Sequence, residues 1–474
     1  MRFIRQNSIV ATALALAAGS TTALAGGTVS GSIVVKEGDA LSDSTVSTLN
    51  TPFTDGNGKL GTVIALADGR RAIWHDAGVV FTSDEALPDA LTGGEGTMGI
   101  GNDGEFIYSP SYNGNDAVWG DAGLILAGTQ QAPGYPVGVL NTFNSRPRMS
   151  SDGTAYWIAG SDLGAGGSTA QRALYSRSPA GAISIVIASG DLVPGGGGLT
   201  VDFPSGVDFN YHFSGDGAHS LITLLADTGS TADDDLIVVD GAVVARETLP
   251  TGDGDNWDNF DDVSINASGN YLFTGDTDGA TASDEFIAYN AVIGVREDDV
   301  VDGLTLGGSA NAASINDLNQ AIFIFSTDEE TETLFFAADA SDLGSAVKLA
   351  SVDDLFDDGE GPGADWIIDD FNASNVIGPG LDLAEDGYVY VEVDLVPVAG
   401  GDPIEAIIRL ALPSAGCNAA DLAEPFGQLN FDDVIAFLTA FGNMDPAADL
   451  AEPFGQFNFD DVIAFLTIFG AGCP

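Results

Sequence analysis

Two kinds of short apolar segment alternate along most of this chain, and they limit its fold more than any other feature. The first kind is an apolar strand that runs into a Gly-rich or acidic turn; its seven copies are residues 33–41, 77–88, 122–134, 182–195, 241–252, 290–303 and 345–359. The second kind is a turn Gly or Asn followed by an alternating strand; its seven copies are residues 61–66, 104–109, 153–160, 217–225, 269–275, 319–325 and 387–393. Apolar runs cut by Gly, Asn and Asp predict β-strands joined by turns.

The repeat of several strands per unit is typical of the blades of a β-propeller. Because each kind of segment occurs seven times, we predict an all-β fold with seven blades. A ring of six or eight blades and a pair of stacked sandwiches remain as alternatives.

The order of the segments indicates how such a ring closes. A strand of the first kind, residues 33–39, precedes every segment of the second kind. The last unit, which starts at Gly387, has no outer strand of its own. We therefore expect the N-terminal strand to complete the last blade, which removes the exposed strand edges of an open array.

Two short motifs within the repeats carry a resemblance. INASGNYLF (residues 265–273) and INDLNQAIF (315–323) share an Asn-x-x-Gly-like start, with Asn319 in place of Gly in the second. KEGDAL (36–41) and SGDLVPG (189–195) share a Gly-Asp turn. The repeats resemble bacterial tandem-repeat proteins whose unit combines Asn-x-x-Gly, an apolar strand and a Glu-Gly-Asp-x-x-Pro turn. The resemblance implies a propeller-like domain outside the cytoplasm and no established chemistry.

The N-terminus has the three-part pattern of a cleaved secretory signal. Arg2 and Arg5 precede an apolar run at residues 9–18, and Ala23-Leu24-Ala25 stands before Gly26. We expect residues 1–25 to be removed and residues 26–412 to form the propeller domain. The protein is then secreted, to the extracellular space, the cell surface or the periplasm. No later stretch reaches the roughly 20 apolar residues of a membrane span, so we expect no transmembrane segment.

The chain is strongly acidic, with 70 Asp and Glu against 14 Lys and Arg and a net charge of −56. Such a surface repels nucleic acid and anionic lipid, so no nucleic-acid partner is expected. Solubility in a saline medium is the simplest interpretation of this acidity.

The repeats do not indicate a reaction. Among 70 carboxylates some pair must lie at a glycosidase-like separation by chance, so acidic residues alone cannot nominate a catalytic pair, and we nominate no catalytic residue. His75, His212 and His219 are scattered, and structural or surface roles are favoured over a metal site. Trp74 and Trp119 occupy equivalent places in their units, which favours packing over sugar stacking.

The C-terminus contains one segment twice: residues 419–442 return almost unchanged as residues 447–470, between the chain's two cysteines, Cys417 and Cys473. Each copy couples an acidic loop to an amphipathic helix, with a stripe of Val434, Phe437, Leu438 and Phe441 and its repeat in the second copy. Two such helices can bury these faces on each other. In an oxidising compartment, a Cys417–Cys473 disulfide would tie the ends of the pair together.

This pair resembles the dockerin modules, which are EF-hand-like calcium-binding duplications, in the form flanked by Gly-Cys pairs. The resemblance covers residues 416–474 and implies calcium as a cofactor. Each loop is one residue longer than a standard 12-residue calcium loop. The ligands that the resemblance implies are Asp421, Asn430 and Asp433 in the first loop and Asp449, Asn458 and Asp461 in the second, with Glu424 and Glu452 added as compensating ligands. The alternative is a metal-free acidic helix pair held by its core and a disulfide.

The first hypothesis is a secreted, non-enzymatic binding or display protein. Its dockerin-like unit docks to a cohesin-like protein or a component of the cell envelope, and the propeller binds a ligand such as polysaccharide. The alternative is a secreted polysaccharide hydrolase, a glycoside hydrolase, recruited by the same tail, and a structural surface-layer component is a third reading. Arg, Tyr and convergent carboxylates at one mouth of the ring would favour the hydrolase.

Overall fold

The computed structural model describes most of the chain beyond the predicted signal segment. The described residues are 27–41, 43–50, 52–54, 60–75, 78–82, 91–92, 98–101, 105–112, 115–121, 123–128, 130–134, 139–162, 170–203, 209–328, 332–361, 363–372, 381–413, 420, 422–423, 429–443, 448, 450–451 and 457–472. Within these residues, 36 strands form seven sheets, and two α-helices follow them. The fold is a seven-bladed β-propeller with a small helical unit at the C-terminus, as predicted.

The first strands are β1 (Thr28–Ser30) and β2 (Ser32–Lys36). Blade 1 contains β3 (Ala40–Leu41), β4 (Ser44–Thr48), β5 (Phe53–Thr54), β6 (Leu60–Leu66), β7 (Arg71–His75) and β8 (Gly78–Thr82). Blade 2 contains β9 (Leu91–Thr92), β10 (Met98–Ile100), β11 (Phe106–Tyr108), β12 (Ser111–Tyr112), β13 (Asn115–Gly120) and β14 (Gly123–Ala127). Blade 3 contains β15 (Val139–Met149), β16 (Ala155–Asp162), β17 (Ala170–Arg177) and β18 (Ile183–Ala188).

Blade 4 contains β19 (Tyr211–Phe213), β20 (Ser220–Leu225), β21 (Asp235–Val239) and β22 (Ala242–Arg246). Blade 5 contains β23 (Trp257–Ile265), β24 (Tyr271–Thr277), β25 (Glu285–Tyr289) and β26 (Val292–Arg296). Blade 6 contains β27 (Val300–Val301), β28 (Leu304–Ile315), β29 (Ala321–Thr327), β30 (Thr333–Ala337), a 3₁₀ helix (Ala340–Ser345) and β31 (Val347–Ser351). Blade 7 contains β32 (Leu355–Asp357), β33 (Trp366–Phe371), β34 (Leu381–Leu383), β35 (Tyr388–Pro397) and β36 (Ile404–Ala411). The helices are α1 (Phe431–Asn443) and α2 (Phe459–Ala471).

Apolar side chains from the two kinds of repeat segment pack between neighbouring blades. Among the described residues, seven buried clusters each join two adjacent blades, and together they run around the whole ring. Trp157 of blade 3, for example, packs with Val118 of blade 2. Trp74 and Trp119 are both buried in such clusters, in agreement with the packing role predicted for them.

The N-terminal segment completes blade 7. Strand β2 pairs with β36 in antiparallel register, with Ile33 opposite Ile408. Strand β1 runs parallel to β32 at the other side of the same sheet, with Val29 opposite Phe356. Blade 7 is therefore assembled from both ends of the propeller sequence, and its third strand is covered on the outer side by β2.

The Asn-x-x-Gly motif forms the turn after the first strand of a blade and links that blade to the next. The Asn266 Nδ2 donates to the Asn316 carbonyl oxygen at 2.9 Å, while its Oδ1 accepts from the backbone N–H groups of Ser268 and Asn270. Asn316 repeats the arrangement, since its Nδ2 donates to the Ala384 carbonyl oxygen at 3.3 Å. The motif Asn thus accepts hydrogen bonds within its own turn and donates one to the backbone of the corresponding turn in the next blade.

The fourth residue of the same turn requires a left-handed backbone. Gly269 has a φ of 76°, and Asn319 occupies the equivalent place with a φ of 60°. Asparagine tolerates this region better than other side chains do, because its short polar side chain bonds locally. This explains why the second copy of the motif can replace Gly.

The Gly-Asp motif forms the link from the outer strand of one blade to the first strand of the next. An Asp carboxylate accepts from the backbone N–H three residues earlier, as between Asp39 and Lys36 at 3.0 Å. The same bond recurs in the pairs Asp191–Ala188, Asp299–Arg296 and Asp354–Ser351 at 2.9, 2.9 and 2.8 Å. The link then pairs with the next blade, where Gly38 N donates to the Val46 carbonyl oxygen and Val46 N donates to that of Asp39.

We predict that Asn266→Ala destabilises the propeller by about 1–3 kcal/mol, because the turn N–H groups of Ser268 and Asn270 and the buried Asn316 carbonyl lose their partners. Ser268→Ala is the matched control: Ser268 is exposed and the bond to Asn266 uses its backbone only, so its effect should be close to zero. Chemical denaturation of both variants checks this, and equal stabilities would contradict the role assigned to Asn266.

Candidate functional site

The direction of the strands sorts the loops of the ring onto two faces. In blade 5, the turn at residues 266–270 follows the first strand, and the loop at 278–284 and the link at 297–299 follow the second and fourth strands. Because successive strands are antiparallel, the turn lies on one face, which we call the turn face. The loop and the link lie on the opposite face, which we call the carboxylate face for the side chains described next.

Blade 5 places a pair of acidic side chains at the carboxylate face. Asp276 near the end of β24 lies opposite Glu285 at the start of β25, and their side chains hydrogen-bond each other. Burial and the neighbouring Asp276 charge raise the pKa of Glu285 to about 8, so Glu285 holds the shared proton. The Glu285 Oε2 also accepts from Ala310 N of blade 6 at 3.2 Å. The pair therefore bridges two blades.

Blades 6 and 7 share a second pair. Glu332, just before β30, hydrogen-bonds Asp370 on the first strand of blade 7, and the Asn311 Nδ2 donates to the Glu332 Oε1 at 2.7 Å. Burial and the Asp370 charge raise the pKa of Glu332 to about 7. Asp370 itself is exposed, which gives this pair contact with solvent.

Blade 7 carries three more acidic side chains toward blade 1. Asp394 on β35 lies opposite Glu405 on β36, and Glu392 precedes Asp394 on the same face of its strand. The Glu405 Oε2 accepts from Leu49 N of blade 1 at 2.7 Å. Burial first, and then the charges of Glu405 and Asp394, raise the pKa of Glu392 to about 8.

A carboxyl group with a pKa near 7 can give up a proton at neutral pH, which is what a general acid requires. Perturbed carboxyl groups beside an exposed carboxylate are also typical of functional sites, although structural networks produce them too. None of these residues is a candidate from the sequence alone. The signal for them is absent from the sequence, because strand register alone selects them from 70 acidic residues.

Three described arginines stand at strand ends or loops of the carboxylate face, and each pairs with an aspartate. Arg70 pairs with Asp43 and Asp68, Arg246 with Asp233, and Arg296 with Asp253 and Asp255. These ion pairs belong to blades 1, 4 and 5, whereas the Glu332–Asp370 pair lies between blades 6 and 7.

His212 and His219 fill structural positions. Ile265 N donates to the His212 Nδ1 at 2.8 Å, and burial and the Arg148 charge lower the pKa of His212 to about 3, which keeps the ring neutral. The His219 Nδ1 lies 2.7 Å from the Asp240 Oδ2. This agrees with the structural or surface role predicted for both residues.

The C-terminal helices pack on each other through their own small core. The rings of Phe437 and Phe465 stack with centroids 4.1 Å apart, and both side chains are buried. Ala420 and Ala448 complete the buried centre. The predicted stripe is correct for Phe437 and its neighbours Val434 and Phe441, which pack against this core.

The stripe is wrong at Leu438 and at its repeat, Leu466, which are each 57% exposed. A pair of short helices offers a single shared contact line, and Phe437 with Phe465 occupies its centre. Leu438 instead joins Phe431 and Ile435 on the outer side of α1, where all three are exposed. Phe459, Ile463 and Leu466 repeat this outer surface on α2 with nearly the same exposures.

Asp433 organises the first loop through its carboxylate. The Oδ1 accepts from Leu422 N and Ala423 N at 2.8 Å, and the Oδ2 accepts from Asn430 N at 2.7 Å. Burial of Asp433 raises its pKa, but these three backbone bonds together outweigh burial and lower it. The bond to Asn430 N has the geometry of a capping box at the start of α1.

Asp461 repeats the arrangement in the second loop. Its carboxylate accepts from the backbone N–H groups of Leu450, Ala451 and Asn458 at 2.9, 2.9 and 2.8 Å. The bond from Asn458 contributes most to the lowered pKa of Asp461. Both carboxylates thus hold their loops against their helices through backbone N–H groups.

The predicted calcium ligands divide into two groups. Asp421, Glu424, Asp449 and Glu452 lie outside the described residues, as do Cys417 and Cys473. Asn430, Asp433, Asn458 and Asp461 are described, and both lone pairs of the Asp433 Oδ1 are engaged by backbone donors, so this carboxylate does not fit a bidentate closing ligand in this arrangement. No group of three His, Cys, Asp or Glu side chains suited to a metal ion occurs in the described part of the chain. The calcium site stays a prediction.

No model of a known protein family matches the sequence, and no curated protein matches it. Among solved structures, the chain is similar to an α-L-arabinanase from Penicillium chrysogenum complexed with arabinobiose, at 15% identity, with 70% of this chain and 96% of that chain covered and a TM-score of 0.35. It is also similar to the polysaccharide lyase Uly1, at 9% identity, 79% and 91% coverage and a TM-score of 0.41. A gluconolactonase from Xanthomonas campestris shows 10% identity, 81% and 98% coverage and a TM-score of 0.29.

Likenesses at these identities and TM-scores carry no argument about activity, so the function has to be argued from this chain's own residues. In the described residues, no helix is both long and apolar enough to cross a membrane.

We predict that Phe437→Ala and Leu438→Ala differ sharply in effect although the residues are adjacent. The first removes a buried ring and should cost about 3–5 kcal/mol, whereas the second trims an exposed side chain and should change stability by less than about 0.5 kcal/mol. Thermal unfolding of residues 415–474, followed by helical circular dichroism, measures both. Similar losses in the two variants would contradict the packing described for α1 and α2.

Proposed function

We propose that this protein is a secreted polysaccharide hydrolase whose C-terminal helical unit attaches it to a partner. The observation that carries the proposal is the Glu332–Asp370 pair at the carboxylate face. It combines a carboxyl group that keeps its proton near neutral pH with an exposed carboxylate beside it. The sequence left two hypotheses open, and the proposed function is the polysaccharide hydrolase instead of the non-enzymatic binding protein.

In this proposal Glu332 protonates the leaving oxygen of a glycosidic bond. The Asn311 Nδ2 donates to the Glu332 Oε1, and burial together with the Asp370 charge raises the pKa of Glu332 so that it keeps its proton. Glycoside hydrolysis also needs a second carboxylate roughly 5–9.5 Å from the acid. Asp370 is in hydrogen-bond contact with Glu332 and therefore too close. The second carboxylate therefore has to come from another acidic side chain at the carboxylate face.

The charge of the chain narrows the substrate class. With a net charge of −56, the protein repels polyanions such as uronate-rich or sulfated polysaccharides. A neutral polysaccharide, whose hydroxyl groups donate hydrogen bonds to carboxylates, fits this surface better.

A non-enzymatic binding or display protein is the second candidate. It is favoured by the Glu332–Asp370 contact, which joins blades 6 and 7, and by the bond from Ala310 N to Glu285, which joins blades 5 and 6, since both have a structural use. Binding without turnover would then be the activity of the ring.

The attachment role rests on the outer surface of the helical unit. Phe431, Ile435 and Leu438 are exposed on α1, and α2 repeats them with nearly equal exposures. Exposed apolar side chains gathered on one small unit are typical of docking surfaces. We propose a cohesin-like protein or a cell-envelope component as the partner.

Hydrolysis of neutral polysaccharides and chromogenic glycosides tests the enzymatic proposal. We expect Glu332→Gln to lower kcat by at least about 100-fold, since it removes the general acid. Activity of the unaltered protein should fall as the pH rises through about 7, the pKa of Glu332. Asp370→Asn should move this alkaline limb to lower pH, because the charge that raises the pKa of Glu332 is gone.

Glu360→Gln removes an exposed acidic group that belongs to neither pair and should leave kcat unchanged. A glycan array run on the same samples separates the two candidates. Binding with no turnover in any variant would replace the hydrolase by the binding protein, and neither binding nor turnover would reject both.

We also propose that the two loops of the helical unit bind calcium. If the lengthened loops bind calcium, a concentration of about 100 times the Kd should stabilise the unit by about 2.7 kcal/mol, and a chelator should reverse the gain. Thermal unfolding of the full chain and of residues 415–474 measures this, with magnesium as the matched ion. An unchanged melting curve would leave the metal-free helix pair, held by Asp433 and Asp461, as the form of this unit.

A further inference from the structure

The seam between blade 7 and blade 1 differs from the other blade contacts because the ring is closed there. Blade 7 is built from both ends of the propeller sequence, and its β35 and β36 pack against blade 1 through Tyr390 and Ile407. The same surface carries Glu392, Asp394 and Glu405. The closing contact of the ring therefore includes three acidic side chains.

Glu392 is the unsatisfied member of this group. It is 3% exposed, and its Oε2 is buried without a hydrogen-bond partner. By contrast, the Glu405 Oε2 accepts from Leu49 N, and the Asp394 Oδ1 accepts from the Asn372 Nδ2 at 3.3 Å. A buried carboxylate with an unbonded oxygen is costly when ionised, so the closed seam favours the protonated form of Glu392.

The surroundings of Glu392 offer an ionised form little compensation. Strands β4 and β6 of blade 1 contain no titratable residue. The titratable and charged groups of the other elements around the seam are Tyr388, Tyr390 and Asp394 on β35, Glu405 and Arg409 on β36, Lys36 on β2, Glu37 and Asp39 in the link after β2, and Asp369 and Asp370 on β33. Lys36 pairs with Asp39 at 3.3 Å, and the Arg409 guanidinium lies 4.4 Å from the centre of the Tyr388 ring.

We propose that Glu392 is a proton-dependent latch for the ring: the seam between blades 7 and 1 is closed while this carboxyl group is protonated and loosens when the proton is lost. Ionised Glu392 would stand beside Asp394 and Glu405 in the same buried contact, and separation of the blades lets water reach all three. The bond from Leu49 N to Glu405 spans the seam and would be lost in the loosened form.

The direction of the pH dependence follows from the proton balance. Burial, reinforced by Glu405 and Asp394, raises the pKa of Glu392 from 4.5 to about 8 in the closed seam. The closed form therefore binds more protons than a solvated form between these two pH values, so closure weakens as the pH rises through that window. The seam is tightest in mildly acidic solution.

Hydrogen exchange of the full chain, corrected for the intrinsic pH effect, tests the latch. In the unaltered protein, opening measured at β4, β6 and β35 should increase about tenfold per pH unit between about pH 5 and about pH 8, while β17 of blade 3 stays unchanged. Glu392→Gln should remove most of this dependence from the three seam strands, and the remainder belongs to Glu405, whose pKa is also raised by burial. Glu360→Gln, which removes an equal but exposed charge, should behave as the unaltered protein does.

Asp394→Asn serves as a second variant, because Glu392→Gln could fail to fold. By removing a neighbouring charge, it should end the pH-dependent opening at a lower pH than in the unaltered protein. The latch is rejected if the seam of the unaltered protein shows no pH dependence, if Glu392→Gln keeps the full dependence, or if Asp394→Asn leaves its end point in place.

Discussion

The pairing of β2 with β36 is the contact on which the rest of the propeller depends. A ring of sheets has no stable form with one sheet unfinished, because the unpaired strand would expose its backbone and an apolar face. The chain meets this requirement because β1 and β2 pair with strands of the last blade. The same pairing brings β35 and β36 against blade 1, which completes the seventh of the cores between blades. Closure and core formation are thus one event.

The two short motifs of the repeats also connect neighbouring blades. Asn266 and Asn316 tie each first-strand turn to the following blade, and the Asp of the Gly-Asp link shapes the passage into the next first strand. Both motifs recur because every blade needs a turn after its first strand and a link to the next blade. They therefore indicate the geometry of the ring, and they give no information about a reaction.

The acidity of the chain has different consequences at the surface and between the blades. Exposed carboxylates face the solvent, whereas those at strand ends lie in or beside the blade contacts, where Glu285 and Glu332 share protons with Asp276 and Asp370. In the helical unit the carboxylates have a third use. Asp433 and Asp461 remain ionised and fasten their loops through backbone N–H groups. One residue type therefore serves as solvent surface, proton holder and anchor, according to its partners.

The sequence alone determined the blade number, the helical pair and its pseudo-repeat, because these depend on local periodicity and on counting copies. It also placed residues 33–39 with the last blade, since a missing outer strand is visible in segment order. It could not select Glu332, Glu392 or Asp370 from 70 acidic residues, because strand register and blade packing bring them together from distant positions. Nor could it separate Phe437 from Leu438: both suit an apolar stripe, and only the line along which α1 and α2 meet decides which one is buried.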